Sequence, residues 1–204
     1  MARGEGALGA GAGAGYRASG TATLTLPGGT TQSGAITVTA WGFRHCRVAI
    51  AFSSPWRRGR YEAVASGAGL HIVGPEAWSE LPPLAGGARG CALLAQALDW
   101  TQAQPEAGGA VGLGRRTALR LDPASGLPVS AAWRWQGQAV ELDYSGYEQA
   151  GGVSYAARIT ERVGGAARLA IRFTSFAPRL GLGAADFVVP PPPPAAHAAR
   201  GGAQ

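Results

Sequence analysis

"LDYSGYEQAGGVSYAARITE", residues 142–161, reads as a strand, a glycine break and a second strand. Leu142 and Tyr144 alternate with polar neighbours before the break, and Val153, Tyr155, Ala157 and Ile159 alternate after it. Period-two alternation sets one face of a pleated strand against a core and the other in water. Gly151 and Gly152 provide the turn, because a residue without a Cβ enters left-handed conformations at little cost. The hairpin holds no reactive constellation, so what it specifies is shape.

The same period runs outward in both directions. Upstream, Leu119 and Leu121 precede a "DPASG" turn, Val129, Ala131, Trp133 and Trp135 follow it, and "QGQ" leads to Val140. Downstream, "VGGAARLAIRFTSF" sets Leu169, Ile171 and Phe173 on one face. In the first half, Ala22, Leu24, Ile36 and Val38 alternate with threonines around a "PGG" turn, and Cys46, Val48, Ile50 and Phe52 alternate with His45, Arg47 and Ala49. "RYEAVAS" and "LHIV" complete an antiparallel meander. Between the halves, "LAGGARGCALLAQALDW" spaces Cys91, Leu94 and Leu98 helically, with glycines that keep the helix short or hinged. Residues 101–114 are too glycine-rich to read as more than a loop. The expectation is nine or ten strands with one helical interruption and no βαβ alternation: a mainly β chain.

Length and composition fit one domain of 204 residues with loose ends. Residues 1–17 are a flexible Gly/Ala-rich N-terminus, 18–189 a single domain, and 190–204 a disordered tail opening with five prolines. The net charge of +6 comes from arginine, since the chain has no lysine. The densest basic stretch, Arg57, Arg58 and Arg60 between Trp56 and Tyr61, reads as a solvated hairpin turn, because three arginines fall short of a nucleic-acid groove. Cys46 and Cys91 read as two buried thiols, with a disulfide as the alternative in an oxidising compartment. No stretch reaches the eighteen or so apolar residues of a spanning helix.

Reactive patterns are sparse. His45, His71 and His197 lack ligand spacing and read as surface residues, so no metal and no cofactor is expected. Ser66, Ser125 and Ser145 lack the glycines of a nucleophile elbow. Gly4, Gly6 and Gly9 match a dinucleotide fingerprint in letters alone, with no strand before them and no helix after. Glu141 and Asp143 share one strand face about 7 Å apart. They read as solvated charges paired with Arg134 or Arg158 rather than as a catalytic pair, and no enzyme is expected.

Three features in order carry a family resemblance: Asp122, Pro123, Gly126, Leu127 and Pro128 in a turn; Asp143, Tyr144 and Tyr147 closing a strand; and Gly152, Val153, Tyr155, Arg158 and Ile159 in the next. Together they resemble the C-terminal half of bacterial lipoprotein-localisation proteins of the LolA and LolB type. Ala156 stands where that pattern has proline, and Gly151 where an acidic residue is common. The resemblance implies a curved antiparallel sheet, an unclosed β half-barrel with a short helical lid, enclosing acyl chains without covalent chemistry. It implies lipid or lipoprotein acyl chains as partners of a monomer, and a periplasmic or outer-membrane-associated place if a leader precedes the chain, cytoplasmic if none does. Cys91, Leu94 and Leu98 would then be lid contacts, and Trp133, Trp135, Leu142, Tyr144, Ile171 and Phe173 the lining. The alternative is an interaction module without a small ligand, recruiting other envelope proteins through the basic hairpin and proline-rich tail.

Overall fold

The alternating segments pair into one sheet. The computed structural model describes residues 15–26, 28–53, 58–66, 69–73, 87–96, 98, 103–106, 109–113, 117–179 and 181–188. Among these, β1 (Gly15–Thr25), β2 (Thr31–Trp41), β3 (His45–Ser53), β4 (Arg58–Ser66) and β5 (Gly69–Val73) form a first meander. A second meander contains β6 (Ala103–Pro105), β7 (Ala110–Leu113), β8 (Thr117–Leu121), β9 (Pro128–Trp135), β10 (Gln138–Ala150), β11 (Val153–Val163) and β12 (Ala166–Arg179). Every neighbouring pair is antiparallel, in the order β5-β4-β3-β2-β1-β12-β11-β10-β9-β8-β7-β6. The first and last strands therefore meet in the middle, and the edges are β5 and β6, which do not pair with each other. The sheet is unclosed, as expected.

Among the described residues there are twelve strands, where nine or ten are expected. The two additions, β6 and β7, lie in the glycine-rich stretch that reads as a loop. Strands of three and four residues are too short to display a period, and it is antiparallel pairing, Ala103 with Leu113 and Val111 with Leu119, that makes them strands. The first strand begins at Gly15, ahead of the alternation that starts at Ala18, because Gly15 and Tyr16 pair with both Trp41–Ala40 and Arg179–Pro178. Residues 1–14 and the proline-rich tail lie outside the described residues.

One face of the sheet is apolar along every long strand. Ala22, Leu24, Ile36, Val38, Val48, Ile50, Ala63, Leu119, Ala131, Val140, Leu142, Ile159, Leu169 and Ile171 are buried in a single cluster. Close backbone approach lets the sheet curl around it. A Cβ at Gly20, opposite the bulge at Thr174 in β12, would lie 2.0 Å from the Arg172 carbonyl oxygen, so only glycine fits there.

Helix α1 (Gly87–Leu94) lies in the connection from β5 to β6 and packs on β3, β4 and β5. It is short, as its glycines foretell, and just beyond it Gln96 adopts a left-handed φ of 56°. The expectation of two free thiols is overturned: Cys46 and Cys91 form a disulfide, with Cα atoms 6.0 Å apart, that fastens α1 to β3. Forty-five residues of sequence separate the pair, too far for spacing to reveal that the connection folds back onto the third strand.

The opposite, convex face carries its own small cover. After β12 the chain returns as residues 181–188, with a 3-10 turn at Ala184–Phe187 that contacts β3 and β4. Phe187 is buried with its ring 5.5 Å from that of His45, which in turn lies 4.8 Å from Trp41. Arg47 donates to the Val188 carbonyl at 3.2 Å and pairs with Glu62 at 3.3 Å. His45, expected on the surface, is thus half-buried in an aromatic cluster, while His71 is exposed.

Candidate ligand-binding site

The two ends of the curled sheet are unlike. The turns at residues 28–30, 136–137 and 164–165 close one end, and those at 42–44, 122–127 and 151–152 the other. The β5–β6 connection leaves and re-enters at the first end, yet α1 reaches toward the second, where Cys46 lies beside the 42–44 turn. The helix therefore runs along the concave face instead of capping one rim.

Its far end is tied down by polar bonds to the second meander. Tyr144 donates its hydroxyl to the Leu93 carbonyl at 3.0 Å, a second donor there beside the Gln96 N–H at 2.9 Å. Gln96 accepts from the Ala156 N–H at 2.7 Å and donates to the Ala156 carbonyl at 3.0 Å. Those backbone groups need a partner because the sheet splits: β11 pairs with β12 from Arg158 onward, leaving residues 153–157 without a neighbour on that side. A primary amide presents the same donor and acceptor as a strand, so one glutamine side chain continues the ladder. Across the split, Phe176 stacks between Tyr16 at 4.7 Å and Tyr155 at 4.5 Å.

The residues expected to line the site come together. Cys91, Leu94 and Leu98 of the helical segment and Trp133, Leu142, Tyr144, Ile171 and Phe173 of the sheet are all buried in one apolar cluster. Trp135 keeps the parity of Trp133 but sits at the 136–137 turn and is 37% exposed, so it marks the rim. Glu141 and Asp143 lie apart from this interior on the outward parity of β10. Asp143 pairs with Arg162 at 2.9 Å, not with Arg134 or Arg158, because Arg162 stands opposite Glu141 in the register, and Arg134 donates to Gly137 O instead.

Sequence reading passes over several interior polar groups. Glu161 is buried between Leu142 and Leu169, at a position where the alternation through Ile159 calls for an apolar residue. Burial, and then the Glu161 charge, push the Tyr61 hydroxyl well above its usual range. Burial does the same to Tyr16 and Tyr144, and to Tyr147, which donates to the Pro128 carbonyl. Thr117 is a further case, buried in parity with Leu119. No group of three or more potential metal ligands occurs among the described residues. Nor is any of their helices long and apolar enough to cross a membrane.

No family model and no curated protein matches this sequence. Solved structures do. A LolA superfamily protein from Nitrosomonas europaea aligns over 92% of this chain and 96% of its own, with a TM-score of 0.61 at 13% identity. A putative outer membrane lipoprotein-sorting protein domain from Vibrio parahaemolyticus aligns over 91% and 93%, with a TM-score of 0.52 at 12% identity. A DUF1329 family protein from Desulfovibrio piger covers 89% and 91%, at 0.54 and 12%. The chain has the LolA-like fold. At these identities the likeness is one of architecture, and it extends through the first meander, where no sequence motif signals it.

Proposed function

We propose that this protein is a non-enzymatic binder of acyl chains or lipoproteins in the bacterial cell envelope, holding its ligand between the concave sheet and α1. One observation carries the reading: a continuous apolar face in an unclosed LolA-like sheet, covered among the described residues by an eight-residue helix held by a disulfide. Such a helix has too few residues to be stable alone. It is held by its packing, by Cys46 and by Tyr144 and Gln96, and displacing it would open the apolar face. Each ligand methylene then buried contributes about 0.8 kcal/mol, so a single fatty chain suffices for useful affinity. The disulfide supports an oxidising compartment such as the periplasm. The neighbours described as outer membrane lipoprotein-sorting and LolA superfamily proteins support the same ligand class.

Native mass spectrometry of protein recovered from the envelope fraction, followed by titration with a long-chain monoacylglycerol, tests this. The expected result is one acyl lipid bound per chain. Failure to retain or take up any acyl lipid would sink the proposal.

A further inference from the structure

On the concave face two buried side chains that stand opposite each other both lack a hydrogen-bond partner. Thr117 on β8 and Trp133 on β9 are register partners, 2% and 5% exposed, and both the Thr117 Oγ1 and the Trp133 Nε1 lack a partner. Directly opposed side chains on neighbouring strands have Cβ atoms roughly 5 Å apart, so both groups can converge on one atom. An indole N–H only donates, and a threonine hydroxyl donates or accepts. The common partner they can share is an acceptor oxygen. Leaving such groups unpaired in an apolar interior is costly, and violations of this kind in an otherwise consistent fold concentrate at functional positions.

Their depth also matters. Trp135, two residues on, is at the exposed rim, while Leu119, Ala131 and Leu142 lie one row deeper and are fully buried. Along β9 the concave face therefore passes from an open aromatic rim, through the Thr117–Trp133 pair, to the apolar row of Leu119, Ala131 and Leu142, which meets the buried Glu161 only on β11. That sequence matches an amphipathic molecule with its head outside, an acyl carbonyl just inside and its chain below. No arginine faces this interior among the described residues with buried side chains, so the acceptor it suits is a neutral carbonyl, not a carboxylate.

We propose that Thr117 and Trp133 form a donor pair that binds the carbonyl oxygen of an ester- or amide-linked acyl chain. This rests on the acyl-binding reading above and specifies the chemical linkage it recognises. The test uses two probes that differ only in that carbonyl, 1-lauroylglycerol and its ether analogue 1-O-dodecylglycerol, titrated by calorimetry into the full chain. Wild type is expected to bind the ester at least tenfold more tightly. Thr117→Val and Trp133→Phe should each cut the ratio of ester to ether affinity about fivefold to tenfold.

Thr117→Val, close to isosteric, also removes an unpaired polar group from the empty protein, so its thermal midpoint should hold or rise, whereas Trp133→Phe gives up buried ring volume and is read by its ester-to-ether ratio alone. A purely structural role would lower the midpoint and leave the ester preference intact, which overturns the donor pair. Equal binding of the two probes by wild type overturns it as well while leaving acyl binding standing. If neither probe binds, both readings fall.

Discussion

The two ends of the concave face use polar groups in opposite ways. Around the C-terminal end of α1, the Leu93 carbonyl has the Tyr144 hydroxyl, both backbone groups of Ala156 have the Gln96 amide, and Cys46 has Cys91. Near the 136–137 turn, Thr117 and Trp133 have nothing. The pairing is not perfect at the helix end, where the Tyr16 hydroxyl also lacks a partner. The difference still separates two jobs. Satisfied buried groups fix a unique arrangement, whereas unsatisfied ones lower stability and wait for a ligand. The helix end holds the cover in place, and on the donor-pair proposal the hairpin end is completed by a ligand.

Removing the disulfide is expected to disturb this contrast most. Closing a loop of 45 residues restricts the unfolded chain by about 4 kcal/mol, so the Cys46→Ala/Cys91→Ala double variant should lose about that much in urea unfolding. Its α1 amides should also exchange faster with solvent. A loss below 1 kcal/mol would show that apolar packing alone seats the helix. Gln96→Ala comes next. It strands a buried N–H and a buried carbonyl on Ala156, and should destabilise by about 3 kcal/mol. Hydrogen exchange at Ala156 distinguishes this from a general loosening: protection should collapse there first and persist at Ile159, whose strand pairs on both sides.

Which parts of this were legible in the sequence follows from the range of the interactions. Leu142, Tyr144, Tyr155 and Ile159 display their face through a local period, and Gly151–Gly152 display their turn, so the sheet and its curvature-bearing second meander could be read directly. Cys91, Leu94 and Leu98 likewise display helical spacing. The disulfide, the Gln96 bridge and the split between β11 and β12 depend on residues 45 and 60 positions apart, and no period encodes such contacts. Glu161 and Thr117 were hidden for another reason. Each occupies an apolar parity with a polar residue, which period alone treats as noise, yet that departure is the signal that the face does more than pack.

A smaller effect per unit, read against pH, separates the ends again. Burial raises the hydroxyls of Tyr16, Tyr61, Tyr144 and Tyr147 above the ordinary value of 10.0. Up to about pH 10 both folded and unfolded chains keep these protons, and the stabilisation is fully present. Above it the unfolded chain releases protons that the folded chain retains, so stability falls by about 1.4 kcal/mol per pH unit for each such tyrosine until its folded value is passed. Urea midpoints between pH 8 and 12 should therefore drop steeply from pH 10. Tyrosinate absorbance should appear only with unfolding. Tyr144→Phe should remove one proton from that slope and, at pH 8, cost about 1 kcal/mol through the lost hydrogen bond, the Leu93 carbonyl keeping only the Gln96 N–H at 2.9 Å. Tyrosinate absorbance in the folded protein at pH 11 would mean that the helix end opens readily.

The smallest expected change lies in the 122–127 turn between β8 and β9. The Asp122 carboxylate accepts from the Ser125 N–H at 2.7 Å, the Ser125 hydroxyl at 2.8 Å and the Ala124 N–H at 3.1 Å. These bonds, the Ser125 N–H foremost, hold its carboxyl below the ordinary aspartate value of 3.8. A depressed value means that the stabilisation is present above 3.8 and is lost as pH falls through the folded value. Asp122→Ala should therefore lower the thermal midpoint slightly at pH 7, and by less as the pH falls below 3.8. The bulge between Arg120 and Leu121 stands between this turn and Thr117 and can absorb a local slip. The ester preference assigned to Thr117 and Trp133 should therefore survive in Asp122→Ala. Its loss would show that the turn, at the helix end, sets the register of the donor pair at the other, and that the two ends are coupled through β8 and β9.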